Sequence, residues 1–295
     1  MSIQATNKLE ELLGRQRVIL GDGAMGTMLH RAGLTIGAPE QWNVKRPEVV
    51  LSIHRAYVEA GSDFISTNTF GGTRNRLKLD ELQDRCAELN EAGARLAREA
   101  AGERLVAGSM GPTGELMEPL GLLTPDGALE SFTEQAQALK AGGADFALIE
   151  TMSALEEVQA AVGGARAAGL PAVVTMSFDT NFHTMMGVKP VTALRAIAGW
   201  GVGVVGANCG NGPAEIDRIM TEMSAAPHEG VALMAKSNAG MPRWKDDRIT
   251  YGGTPEVMAD YARRMVELGV RIIGGCCGSA PEHIAAMRKA IDALA

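Results

Sequence analysis

Eight short apolar runs, each followed by a segment with helical spacing, leave this chain few folds to choose from. The runs are 17–21 (RVILG), 63–67 (DFIST), 104–108 (RLVAG), 145–149 (DFALI), 172–177 (AVVTMS), 202–206 (VGVVG), 231–235 (VALMA) and 270–274 (VRIIG). They are continuous rather than alternating, which a parallel strand covered on both faces requires. Helical periodicity follows at 48–60, 82–100, 128–142, 154–168, 191–200, 213–226, 255–268 and 281–294. Pro47, Pro213, Pro255 and Pro281 stand at helix starts, where a missing N–H does no harm. Gly61, Gly102, Gly142, Gly169 and Gly269 stand at helix ends, as C-cap residues. Parallel strands need crossover helices, and eight strand–helix units in unbroken order predict an α/β fold of the (β/α)8 TIM-barrel type rather than an open doubly wound sheet. Residues 1–295 carry no low-complexity linker and read as one domain, with a short helix near 6–14 capping the bottom of the barrel.

Composition excludes several function classes. With 46% hydrophobic and 21% charged residues among 295, the chain can bury a core, and the count suits one barrel of roughly 250 residues with additions. The 28 Lys and Arg against 35 Asp and Glu give a net charge of −7, which argues against a general grip on nucleic acid. No apolar run approaches the roughly 18 residues of a membrane span, and the polar start SIQATNKLEELLGR lacks a secretory core, so a cytoplasmic protein is expected. The four cysteines are then expected as reduced thiols.

Barrel chemistry gathers where strands end and βα loops begin. Those positions hold Gly21-Asp22-Gly23-Ala24-Met25-Gly26-Thr27, Asn68-Thr69-Phe70-Gly71-Gly72, Ser109-Met110-Gly111-Pro112, Glu150-Thr151, Asn208-Cys209-Gly210 and Gly275-Cys276-Cys277-Gly278. Three of the four cysteines therefore face one rim, whereas Cys86 lies in a helical stretch and reads as a packing residue. Neighbouring residues on a regular strand point to opposite faces, so Cys276 and Cys277 share a target only if the chain bends, and Gly274, Gly275 and Gly278 offer that freedom. Buried packing thiols and a vicinal disulfide are the alternatives, the second leaving Cys209 unexplained. Three thiolates without a fourth protein ligand describe a catalytic zinc site open to substrate. Such a site suits a substrate that is itself a thiol, which the metal ionises for attack on an electrophilic carbon.

GDGAMGT at 21–27, STNTF at 66–70, GANC at 206–209 and GGCCG at 274–278 resemble the homocysteine S-methyltransferase family, closest in appearance to its bacterial betaine-dependent members. The likeness runs from about Leu12 to Ala290 in order. It implies a TIM barrel with zinc on Cys209, Cys276 and Cys277 that methylates L-homocysteine to methionine. It further implies that Asp22 and Glu150 accept from the substrate ammonium and that the N–H groups of Gly23, Ala24 and Met25 face its carboxylate. It implies as well that Thr69 and Asn208 orient these groups. Trp42 and Phe70 fall where the betaine enzymes place aromatics against the methyl donor, and quaternary ammonium cations are held by aromatic faces. The animal enzymes carry a Tyr where this chain has Gly71.

S-methylmethionine and a methylcorrinoid protein remain alternative donors, and a homo-oligomer remains open. A non-catalytic zinc or thiol-redox sensor is the rival class. The spacing of GDGAMG could be forced toward a dinucleotide loop, but no acidic residue closes the next strand. His30, His54, His183, His228 and His283 show no ligand spacing; His54 and His283 are expected as surface or packing residues. Arg74, Arg76 and Lys78 read as a solvated helix start.

Overall fold

A computed structural model describes residues 7–245 and 248–294, so the first residue of the expected helix at 6–14 lies outside the described region. Among the described residues there are ten strands: β1 (Ile19–Leu20), β2 (Phe64–Ser66), β3 (Leu105–Met110), β4 (Phe146–Met152), β5 (Ala172–Met176), β6 (Val204–Cys209), β7 (Ala232–Ser237), β8 (Pro242–Lys245), β9 (Arg248–Tyr251) and β10 (Ile272–Gly275). The helices are α1 (Lys8–Arg15), α2 (Met25–Arg31), α3 (Trp42–Lys45), α4 (Pro47–Glu59), α5 (Arg74–Leu77), α6 (Cys86–Ala101), α7 (Pro125–Ala141), α8 (Leu155–Ala167), α9 (Pro190–Gly199), α10 (Pro213–Ala225), α11 (Pro255–Glu267) and α12 (Pro281–Asp292).

Eight strands pair in parallel in the order β1-β10-β7-β6-β5-β4-β3-β2. The ring closes between the two end strands, where Asp63 N–H donates to Leu20 O at 2.7 Å and Leu20 N–H donates to Asp63 Oδ2 at 2.7 Å. The fold is the expected (β/α)8 barrel. Six of its larger helices, α4, α7, α9, α10, α11 and α12, open on proline. Thr124 and Thr254 cap two of them, accepting from Gly127 N–H and Val257 N–H. Gly61, Gly102, Gly169 and Gly269 take positive φ as expected; beyond α7 the left-handed turn falls one residue later, at Gly143 (φ 100°).

The barrel interior is layered. Ile19, Phe64, Leu105, Phe146, Leu148, Val173, Val204, Met234 and Ile272 fill its lower half, and Leu9 of α1 packs onto this cluster from below. The Phe64 and Phe146 rings meet edge to face at 5.6 Å. Two or four residues further along six of these strands, the same inward face turns polar: Ser66, Ser109, Glu150, Thr175, Asn208 and Lys236 are all buried. This polar layer is the floor of the mouth.

Most strands run past the apolar stretch that announced them. β4 continues through Glu150 and Thr151, β6 through Asn208 and Cys209, and β7 through Lys236 and Ser237. The ladder is made by backbone groups and does not stop where side chains become polar. The antiparallel β8–β9 hairpin and the short helices α2, α3 and α5 have no counterpart in the apolar pattern. Cys86 is the first residue of its helix rather than a mid-helix residue. His54 and His283 are both buried.

Candidate active site

The three rim cysteines converge. Their sulfur atoms lie within 4.8 Å of one another, with Cys209 Sγ and Cys276 Sγ 2.9 Å apart, and all four thiols of the chain are free. Two local devices produce this. Cys209 ends β6 at φ 63°, a conformation uncommon outside glycine, which swings its side chain away from the strand's alternation. After β10 the chain turns at Gly278 (φ 82°), with Ser279 N–H donating to Cys276 O at 3.0 Å and Ala239 N–H donating to Cys277 O at 2.9 Å. Gly274 and Gly275, expected as part of the bend, are ordinary strand residues; what they contribute is space, since a Cβ at Gly275 would come within 2.4 Å of Ser279 Cβ.

These three sulfurs could hold a cation. Hydrogen bonds from Cys209 and Cys276 hold the Cys277 thiol down to about 3. Cys209 is pushed up by its contacts with Cys276 and Cys277 and by burial. Cys209 lowers Cys276, but Cys277 and burial outweigh it and push that thiol up to about 12. Three buried thiols this close oppose one another's ionisation, and a positive charge between the sulfurs would favour it. Zn–S bonds of about 2.3 Å would set tetrahedral sulfur separations near 3.8 Å, inside the observed spread. The residues present fit a zinc ion with one position left for a further ligand. Tyr251, at the end of β9, adds to the lowering of the Cys277 thiol.

The amide of Asn208 braces this corner. Its Oδ1 accepts from Thr151 N–H and Thr175 Oγ1, both at 2.8 Å, while its Nδ2 donates to Thr151 Oγ1 at 2.7 Å and reaches Cys276 Sγ at 3.9 Å. Thr151 is itself at φ 63°. The amide thus fixes the backbone next to Glu150 and contacts neither carboxylate directly. Thr69 acts at one remove as well: it donates to Ser109 O at 2.8 Å, and Ser109 Oγ donates to Glu150 Oε1 at 2.6 Å.

Asp22 is 1% exposed and accepts from Ser66 N–H at 2.7 Å and from Ser66 Oγ at 2.9 Å. Burial pushes its carboxyl above the ordinary range against the pull of Lys236 and Ser66. Lys236, which the sequence reading overlooked, lies 3.7 Å from Asp22 Oδ1 and 3.5 Å from Glu150 Oε2. A lysine inside the run VALMAKS was the signal that could have found it, because a lone charge two residues after a buried methionine must face the barrel interior. Of the three loop amides, Ala24 N–H is committed to Ser279 O at 2.8 Å, which corrects the expectation that it faces an anion. Met25 opens α2, where an N–H has no acceptor within its own helix. Gly23 packs too tightly against Ser279 O and Tyr57 to carry a side chain.

The two aromatics differ. Phe70 is 42% exposed at the mouth, its ring lying over Gly111. Trp42 is packed against the core and carries the Arg46 guanidinium 5.2 Å from its ring centre, so one face already holds a cation of the chain itself. At Gly71 there is little room for a ring: a Cβ would lie 3.2 Å from both Arg76 Cγ and Glu40 Oε1, and the Gly71 N–H donates to Glu40 Oε1 at 2.7 Å.

The profile of the homocysteine S-methyltransferase family matches residues 19–291. Methionine synthases of Mycobacterium leprae and Mycobacterium tuberculosis are 36% and 35% identical over 97% and 94% of this chain. The chain spans about 25% of the length of these relatives. The metallated form of the homocysteine methyltransferase MmuM from Escherichia coli superposes with a TM-score of 0.78 at 24% identity, over 95% of this chain and 99% of that one. Its apo form gives 0.75 at 25% identity, over 96% and 99%. The carboxyl transferase domain of Rhizobium etli pyruvate carboxylase shares only the barrel, with a TM-score of 0.54 at 14% identity over 98% of this chain and 50% of that one. The extent of the profile match, over all eight barrel strands and the three cysteines, establishes that this chain belongs to the homocysteine S-methyltransferase family.

Proposed function

We propose that the chain is a zinc-dependent methyltransferase that carries a methyl group from betaine to the sulfur of L-homocysteine, giving methionine. The observation that carries this reading is the meeting of Cys209, Cys276 and Cys277 with the buried pair Asp22 and Glu150 in one barrel mouth. When bound to the three thiolates, zinc would ionise an incoming thiol and hold its sulfur in the remaining coordination position.

The chain's own side chains do the positioning. Glu150 Oε1 is taken by Ser109, which leaves Oε2 toward Lys236 and toward an incoming α-ammonium. Asp22, held by both groups of Ser66, presents its charge from the opposite wall. The amides of Gly23 and Met25 line the carboxylate end. Phe70 offers an exposed aromatic face to a cationic donor. With the amino acid anchored at both ends, the sulfur faces the donor methyl in line; the S–C bond forms as the donor's N–C bond breaks, and dimethylglycine leaves.

A second reading has an observation of its own. In the methionine synthases the matched region is a quarter of the protein, so there the barrel stands beside further chain. A methylcorrinoid-bearing protein would then supply the methyl group here. The deciding experiment incubates purified, zinc-loaded chain and homocysteine with betaine, S-methylmethionine or methylcobalamin. Methionine from betaine, lost on chelation and restored by zinc, is the expected result. Methionine from methylcobalamin alone selects the second reading; no methionine from any donor leaves a thiol sensor as the better description.

A further inference from the structure

Lys236 is placed where a substrate-binding pair of carboxylates would not need it if their only task were to wait for an ammonium. It is 3% exposed, on the inward face of β7, in register with Asn208 on one side and Gly274 on the other. Its stem runs over Gly274, where a Cβ would lie 3.1 Å from Lys236 Cγ. The ammonium ends 3.4 Å from Ser66 Oγ, 3.5 Å from Glu150 Oε2 and 3.7 Å from Asp22 Oδ1. These distances put it between the two carboxylates rather than in a tight bond to either.

Charge counting gives the placement a meaning. Asp22, Glu150 and Lys236 sum to −1, so the trio is short of one positive charge. Without the lysine the pair would hold two like charges in a buried space, with no fixed cation between them. We propose that Lys236 is a positioning residue for the amino acid substrate: its fixed ammonium, lying between the two carboxylates, offsets one of their two charges and holds them to accept one further ammonium, the α-amino group of the incoming amino acid. This rests on the reading that Asp22 and Glu150 receive that group.

The test compares zinc-loaded wild type with K236M. Homocysteine binding is measured by titration calorimetry, KM and kcat by turnover, and the inhibition constant of 4-mercaptobutanoate reports a thiol acid without the amino group. Loss of one member of a buried charge cluster should weaken homocysteine binding and raise its KM by about thirtyfold. The 4-mercaptobutanoate constant should stay within about threefold, since that ligand does not use the carboxylate pair. Should K236M fail to fold, K236Q, similar in reach and uncharged, carries the same comparison. Unchanged or tighter homocysteine binding in a folded variant overturns the proposal, as does equal weakening of both ligands. Wild type that binds no homocysteine overturns the functional reading first and this inference with it.

Discussion

Cys209 and Cys276 bring their sulfurs to 2.9 Å although their strands are not neighbours. β7 lies between them, and adjacent strands stand about 4.8 Å apart, so the two backbones are separated by about twice that distance. The left-handed conformation at Cys209 and the turn after Cys276 close the gap over the end of β7. Replacing Cys209 by Ala removes one of three ligands and should reduce bound zinc after dialysis to a small fraction of one equivalent, with loss of turnover. Metal analysis of the purified variant checks this; full retention of zinc would show that the ligand set is wrong.

The turn itself can be probed without touching a sulfur. At Gly278 the backbone is at φ 82°, and a Cβ would sit 2.3 Å from Tyr251 Cγ. Gly278→Ala therefore combines left-handed strain with a clash and should destabilise the fold by about 1–3 kcal/mol. Because the strain displaces Cys277, zinc affinity should fall with it. Urea unfolding with a competitive chelator titration reads both, and wild-type values in each would exclude the turn as the organising device.

Phe70 and Trp42 should separate on kinetics. Phe70→Ala removes an exposed aromatic face at the mouth and should raise the KM for a cationic donor by up to about tenfold, leaving the KM for homocysteine unchanged. Trp42→Ala should act on stability instead, because that ring is packed on the core under Arg46. Steady-state kinetics with each substrate varied in turn decides between them.

His54 makes acid stability predictable. It is fully buried in α4, neither ring nitrogen has a hydrogen-bond partner among the described residues, and burial alone holds it down to about 3 from its ordinary 6.5. The unfolded chain binds a proton that the folded chain refuses, so stability falls as pH drops below 6.5, and the loss continues toward 3. Between pH 7 and pH 5 this one group should remove about 2 kcal/mol. His54→Leu should flatten the slope by one proton, read from urea unfolding at the two pH values; an unaltered slope would contradict the assignment.

The strand count, the barrel and the rim positions were legible because an apolar run buried on both faces leaves a mark in one dimension. So were the cysteines, since thiols flanked by glycine at strand ends are conspicuous. Lys236 left no mark of this kind, because it lies beyond the edge of the apolar run VALMA, which ends two residues short of the strand. The commitment of Ala24 N–H to Ser279 O could not be read from either segment alone, since the partners are distant in the chain.

By itself, then, the order of residues determined which elements form and which chemical groups reach the mouth, because periodicity and strand-end position are local properties. Tertiary structure decided which of those groups meet. Whether three sulfurs share one point, whether a lysine lies between two carboxylates, and whether Arg46 covers Trp42 depend on strand register, on two left-handed residues and on loop packing. Those are settled only when the ring closes and distant segments compete for the same space.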